Sequence, residues 1–303
     1  MSVHGTHNAV EDPRNAEVLI SINGELFKRA EARISVFDSG FLVGDGVWEG
    51  MRVYGGKVAF AREHMDRLYH AAKAICLDIG LTRNELLGRI DDVLKANAMT
   101  DGVHVRLMVT RGDKKTPSQD PRLALWGPNI VIIAEHKSVA PETYQTGVTL
   151  FTSSVRRGSP DYLDPRLNCH SKLHEVIALN QALAAGADEA LMLDVRGFVS
   201  TCNATNFFIV VGEELWTSTG AYCMNGITRA KIIMVAREAG ITVQEKDFSL
   251  YDVHGADEAF VTGTFGGLTP VVSVDGIRVG EGGHEMTDRL RALYQEAVKA
   301  SVA

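Results

Sequence analysis

The sequence predicts an α+β fold in two lobes, and three features predict it. Tight-turn dipeptides interrupt alternating apolar runs, which marks β-hairpins and mostly antiparallel sheets. Amphipathic stretches of helical period lie between those runs. A polar stretch containing Pro141, HKSVAPETYQTG, divides the chain and reads as a linker. We read residues 1–15 as a loose arm, 16–137 as a small N-terminal α/β domain, 138–145 as the linker and 146–303 as a large C-terminal domain.

The first lobe opens on VLISI-NG-ELFKR, a hairpin about Asn23-Gly24, and repeats the pattern in MRVY-GG-KVAF. A helix is expected over REHMDRLYHAAKAICLDI, with Met65, Leu68, Ala72, Ile75 and Leu77 near one face. A second begins at Thr82, where Thr82 and Glu85 have capping-box spacing. The strands VHVRLMVTR and NIVIIAEH follow. Past the linker come the strand VTLFTSSV, a helix over SKLHEVIALNQALAAG, and the strand stretches EALMLDVRGFVS and NFFIVVGEELWTS. A helix starting at Gly226-Ile227-Thr228, the strand EAFVTGT, a hairpin about Asp275-Gly276 and the closing helix MTDRLRALYQEAV finish the chain.

Of 303 residues, 45% are hydrophobic, and the formal charge of −7 lacks the basic footprint of a nucleic-acid binder. No apolar stretch is long enough to span a membrane, and the polar N-terminus has no secretory signal. The four cysteines form no C-x-x-C pair or disulfide framework, so a cytoplasmic setting is the expectation.

Three places could carry chemistry. Ile227 and Thr228 begin a helix after a glycine, where free N–H groups and the dipole favour an anion; a plain capped helix is the blander explanation. Thr262-Gly263-Thr264 ends a strand, where amides and hydroxyls could hold phosphate or merely turn the chain. The run Asn168-Cys169-His170-Ser171-Lys172-Leu173-His174-Glu175 gathers reactive side chains about a helix start. His170 and His174, four apart, would share a helical face, but no third ligand is evident and no metal is expected. Cys169 near a helix N-terminus could be an activated thiolate or a small buried residue.

The stretches GDGVWEGMRVYGG, REHMDRL, SVRRGSPDYLDPR, AGADEALMLDVRGFVS, NGITR, ADEAFVTGT and TPVVSVDG together resemble the class IV aminotransferases, the fold-type IV pyridoxal-phosphate enzymes, which include branched-chain and D-amino-acid aminotransferases and aminodeoxychorismate lyase. The resemblance implies the two-lobed D-amino-acid aminotransferase-like fold, pyridoxal 5'-phosphate between the lobes, a homodimer and a small-molecule substrate. It places Arg67, Ile227, Thr228 and Thr264 around the cofactor phosphate, and Trp48, His104, Arg106 and Phe265 toward the substrate, with Arg106 suited to a carboxylate.

Two positions depart from the family pattern. The family's D-P-R-I-K run, whose lysine forms the Schiff base, is Asp164-Pro165-Arg166-Leu167-Asn168 here, and the gap-free match continues to Gly186. The glutamate that keeps the pyridine nitrogen protonated is Thr201. Lys172, four residues and about one helical turn past Asn168, would be a relocated Schiff-base lysine or a general base, or else a surface lysine on the first helical turn. The readings that follow are a family-type enzyme on a small amino acid, amine or keto acid; a cofactor-independent hydrolase, lyase or isomerase using Lys172, Cys169, His170 and His174; or a non-catalytic binding homologue.

Overall fold

The computed structural model describes Gly5, Thr6 and residues 9–303; the remainder of the predicted arm lies outside the described residues. The chain forms two compact units. The first comprises Val10–Ser138, Asn168–Ser171 and Ser301–Ala303, and the second the described residues up to Ala9 with Val139–Leu167 and Lys172–Ala300.

In the first unit, β1 (Leu19–Ile22), β2 (Glu25–Lys28), β3 (Gly46–Tyr54), β4 (Lys57–Val58), β5 (Val103–Thr110) and β6 (Asn129–His136) form a sheet in the order β2-β1-β6-β5-β3-β4. Its pairings are antiparallel. The hairpin about Asn23-Gly24 is as predicted, with both residues left-handed at φ 55° and 94°. One face of the sheet is apolar but for Glu49: Val47, Met51, Val53, Val103, Val105, Leu107, Val109, Ile132 and Ala134 are fully buried, and so is the Glu49 carboxylate among them. The helices α2 (Ala61–Ala74) and α3 (Arg83–Ala96) supply buried side chains such as Met65, Leu68, Leu86 and Ile90. Thr82 caps α3 with the predicted capping box. α2 stops at Ala74, short of the predicted Ile79, because Cys76 turns left-handed at φ 52°. A short helix α1 (Ser39–Val43) precedes β3, capped by the buried Asp38 carboxylate.

The second unit begins with α4 (Pro141–Thr146), a short helix within the stretch read as linker, and β7 (Val148–Thr152). α5 (Leu173–Ala184), β8 (Glu189–Leu193), β9 (Val199–Cys202), β10 (Asn206–Val211), β11 (Glu214–Thr217) and α6 (Ile227–Glu238) follow, then β12 (Thr242–Glu245), α7 (Leu250–His254), β13 (Glu258–Gly263), β14 (Gly267–Val274), β15 (Ile277–Arg278) and α8 (Glu285–Val302). The sheet runs β12-β11-β10-β13-β14-β7-β8-β9 with β15 beside β14. It is mixed: β7 pairs parallel with β8 and β14, and β11 with β12. β10 explains the unbroken apolar run NFFIVV. Phe207 and Ile209 enter one core with Val148, Leu191 and Phe248, while Phe208 and Val210 enter another with Ile232, Phe260 and Leu290. Phe208 and Phe260 stack there with ring centroids 5.0 Å apart. Among the described residues no helix is long and apolar enough to cross a membrane.

Candidate active site

The second face of the first unit's sheet is chemically mixed. Register sets Gly50 opposite Arg106, with Trp48 opposite Met108 and Arg52 opposite His104 on either side. The guanidinium of Arg106 lies 3.7 Å from the centroid of the Trp48 ring. Arg106 makes no hydrogen bond or ion pair among the described residues. Burial pushes its pKa down, but a guanidinium stays charged. Gly50 leaves this row its room: a Cβ there would sit 3.1 Å from His104 Nε2.

Residues 168–171 join the same unit. β4 pairs with β3 only at Val53 and Tyr54, so the Gly46–Trp48 edge of β3 is left for this segment. Trp48 N donates to Asn168 O at 3.0 Å and His170 N to Gly46 O at 3.0 Å, in an antiparallel bridge between Val47 and Cys169. Trp48 Nε1 donates to Cys169 O at 3.0 Å, and Asn168 Nδ2 donates to Trp48 O at 2.6 Å. Asn168 is buried, and its Oδ1 has no partner among the described residues.

This pairing corrects three expectations. His170 and His174 do not share a helical face, because α5 starts only at Leu173 and the preceding backbone is spent on β3. For the same reason Cys169 is not at a helix N-terminus; it is a buried residue in an extended segment, with Sγ 4.0 Å from Ser171 O. Nor is Lys172 one helical turn from Asn168, since the chain between them is not helical.

Lys172 is the N-cap residue of α5. An ammonium there meets the positive end of the helix dipole, and Glu175 in the first turn offsets it. Lys172 Nζ lies 3.5 Å from Glu175 Oε1, and the buried Arg157 donates to the same oxygen at 2.9 Å. Arg157 Nη1 also lies 2.8 Å from His174 Nε2. On its other side, His174 Nδ1 lies 3.0 Å from Glu175 Oε2. Burial raises the Glu175 pKa, but His174, Lys172 and Arg157 outweigh it and bring it down to about 2. The sequence reading placed Glu175 in its run of reactive side chains but did not find Arg157 as its partner; nothing local marks a pair 18 residues apart.

Because the folded-state value is depressed, Glu175 contributes stability that is complete above its unfolded value near 4.5 and is lost as pH falls toward about 2. Glu175→Gln is therefore expected to lower stability at neutral pH by about 1–3 kcal/mol and to flatten the acid limb. Denaturant unfolding across that pH range checks it; an unchanged acid limb would refute the pairing.

Arg67 is committed to a partner that the sequence reading missed. Its Nε and Nη2 donate to the fully buried Glu49 carboxylate at 2.7 and 2.6 Å, and His64 Nδ1 lies 2.7 Å from Glu49 Oε2. Burial pushes the Glu49 pKa up, yet Arg67 and His64 hold it below the usual range. The signal was present: a lone carboxylate in a buried strand, then a histidine and an arginine three apart on α2.

In the second unit, α6 begins at Ile227 with Gly226 as a cap that has no side-chain hydrogen bond, so its first N–H groups are open. A Cβ on Gly226 would sit 2.3 Å from Asn206 Oδ1, so glycine is required. Thr228 Oγ1 is 3.4 Å from Tyr294 Oη. Thr264 and the buried Phe265 form the turn between β13 and β14, and Thr262 Oγ1 is buried without a partner among the described residues. The buried Thr201 hydroxyl donates to Thr205 O at 2.8 Å and accepts from Asn206 Nδ2 at 3.4 Å.

The α6 N-terminus fits a phosphate. The chain does not fit a covalently held pyridoxal group at position 168, where a buried amide stands in place of an amine. At position 201 a hydroxyl already engaged by the protein offers no carboxylate to a pyridine nitrogen.

The model of the amino-transferase class IV family matches residues 46–274. Branched-chain-amino-acid aminotransferase-like protein 2 of Arabidopsis thaliana is 39% identical over 292 residues, 95% of this chain. The chain spans 52% of that protein and 48% of its paralogue, protein 1, about half the length of each. D-alanine aminotransferase of Listeria monocytogenes is 32% identical over 289 residues, 92% of this chain and 96% of that protein. The solved branched-chain amino acid aminotransferase from Escherichia coli is 30% identical, covers 93% of this chain and 94% of its own, and superposes with a TM-score of 0.84. Another solved branched-chain amino acid aminotransferase, in complex with pyridoxamine 5'-phosphate, is 29% identical, covers 94% of this chain and 95% of its own, and superposes with a TM-score of 0.87. On this match and this two-sheet α+β fold, the chain belongs to the class IV aminotransferase family.

Proposed function

We propose that the chain is a class IV aminotransferase-family enzyme that takes a small amino or keto carboxylate on Arg106 and works without a Schiff-base lysine at position 168. The observation that carries this reading is the pair of groups organised by Trp48: a guanidinium without an anion on its ring, and a buried amide on its backbone. A half-buried cation stacked on an aromatic face, with Glu49 and Glu135 acting on it only at a distance and no ion-paired partner among the described residues, is suited to an incoming carboxylate. Lys172 is not the replacement in this reading, because it caps α5 and reaches toward Glu175 rather than continuing the segment that holds residue 168 against β3. The proposed activity is therefore not ordinary branched-chain transamination.

Arg106→Gln is expected to weaken binding of carboxylate ligands by about 10- to 100-fold, the worth of a charge-assisted hydrogen bond. The companion assay supplies pyridoxal phosphate, L-leucine and 2-oxoglutarate. Glutamate formation is expected to equal that of free cofactor, and enzyme-dependent turnover would overturn the reading.

The Arg157–Glu175–His174–Lys172 cluster favours a second reading, acid–base chemistry without a cofactor, in which the His174 imidazole and the Lys172 amine act on a small anion. Lys172→Met separates the two, since it abolishes turnover only in the second.

A further inference from the structure

The second unit carries a recess lined by none of the candidate site residues. It is open to solvent, has a volume of about 570 Å³, and lies between the end of β7, the segment that follows it and the last turn of α5. Small-molecule sites run to roughly 300–1,000 Å³. Phe151, Ala184 and Ala185 supply apolar surface, and Phe151 packs on the buried cluster of Ala178, Ala182, Ala190 and Met192. The polar walls are tied to each other and to the sheet. Gln181 Oε1 accepts from Ser153 Oγ at 2.7 Å and from Ser154 N at 2.9 Å, and Gln181 Nε2 donates to Ser154 Oγ at 2.9 Å. Ser153 N donates to Leu191 O of β8 at 2.9 Å. Thr152 N and Oγ1 donate to the Asp275 carboxylate, each at 2.6 Å. Arg156 is different. It is exposed, its Nη1 donates to Ser153 O at 3.1 Å, and it has no carboxylate partner among the described residues. The next residue, Arg157, is buried and spent on Glu175.

We infer that this recess binds a small monocarboxylate with an apolar body, as a second ligand site independent of Arg106. The planar guanidinium fork of Arg156 matches a carboxylate, which can take two parallel N–H bonds from it. Arg156 is the one charged side chain that lines the recess among the described residues, so a dicarboxylate or a phosphate dianion would leave charge uncompensated there. The hydroxyls and amide of Thr152, Ser153, Ser154 and Gln181 already bond to the protein, so a polar body would find few partners. An apolar body covers Phe151 and the two alanines and gains by removing them from water.

Calorimetric titration of the full Arg106→Gln chain with phenylacetate, and with phenylacetamide as its uncharged counterpart, tests this; the background substitution removes the other carboxylate site. Phenylacetate is expected to bind, and phenylacetamide to bind roughly tenfold or more weakly, the worth of a charge-assisted hydrogen bond. Adding Arg156→Gln is expected to weaken phenylacetate by the same factor. Adding Ala184→Trp, which fills the recess from the end of α5, is expected to abolish its binding. Both positions are exposed, so neither substitution threatens the fold, and both are expected to act alike on this binding event in the wild type. Absence of phenylacetate binding at millimolar concentration, equal binding of the amide, or binding that survives either substitution unchanged overturns the inference. Each of those results leaves the reading of Arg106 standing, because the titrated chain lacks that arginine.

Discussion

Supplied with pyridoxal phosphate and then borohydride, Asn168→Lys acquires a phosphopyridoxyl group on residue 168. The argument is positional. Residue 168 is held by strand pairing to β3 at Gly46–Trp48, and that pairing uses backbone groups which the substitution does not touch. The family resemblance places the Schiff-base lysine at this position. A lysine would lose the side-chain bond to Trp48 O, so some stability is sacrificed, on the order of 1–3 kcal/mol. The expected gain is from no adduct at residue 168 to a stoichiometric one, read by peptide mass mapping. A folded Asn168→Lys that takes no adduct would show that more than one side chain separates this chain from a transaminase; adding Thr201→Glu then probes the second departure.

Glu49→Gln is expected to destabilise the first unit by about 3–5 kcal/mol, the range for removing one partner of a buried ion pair. Glu49 is fully buried, His64 is 1% exposed at the side chain and Arg67 17%. The neutral amide would leave a guanidinium without its counter-charge in the interior. Because Glu49 is held ionised below the usual carboxylate range, its contribution is complete above the unfolded value and is lost as pH falls through the folded one. Thermal and denaturant unfolding of the variant check the magnitude. A change below about 1 kcal/mol, the level of an exposed pair, would mean that Glu49 does not hold Arg67 as described.

Much of the fold was legible because its signals are local. Asn23-Gly24 and Asp275-Gly276 turn their hairpins as predicted, Thr82 caps α3, and Gly226 opens α6. NFFIVV reads as a strand buried on both faces because adjacent phenylalanines feed different cores. The stretch from Asn168 to His174 was misread for the converse reason. Two histidines four apart suit a helix, but the strand edge that claims the backbone there lies about 120 residues earlier in the chain. Long-range pairing of this kind leaves no periodic trace. The same is true of Glu175, whose partner Arg157 sits in a loop 18 residues back. The departures at Asn168 and Thr201 were visible as letters, but that the asparagine oxygen is buried and unpaired required coordinates.

The most direct test is to map lysine adducts on the wild-type chain. The protein is incubated with pyridoxal phosphate, reduced with borohydride, digested and sequenced by mass spectrometry. The account predicts no stoichiometric phosphopyridoxyl-lysine. A single stoichiometric adduct on Lys172 would contradict it and return this chain to ordinary cofactor-dependent amino-group chemistry.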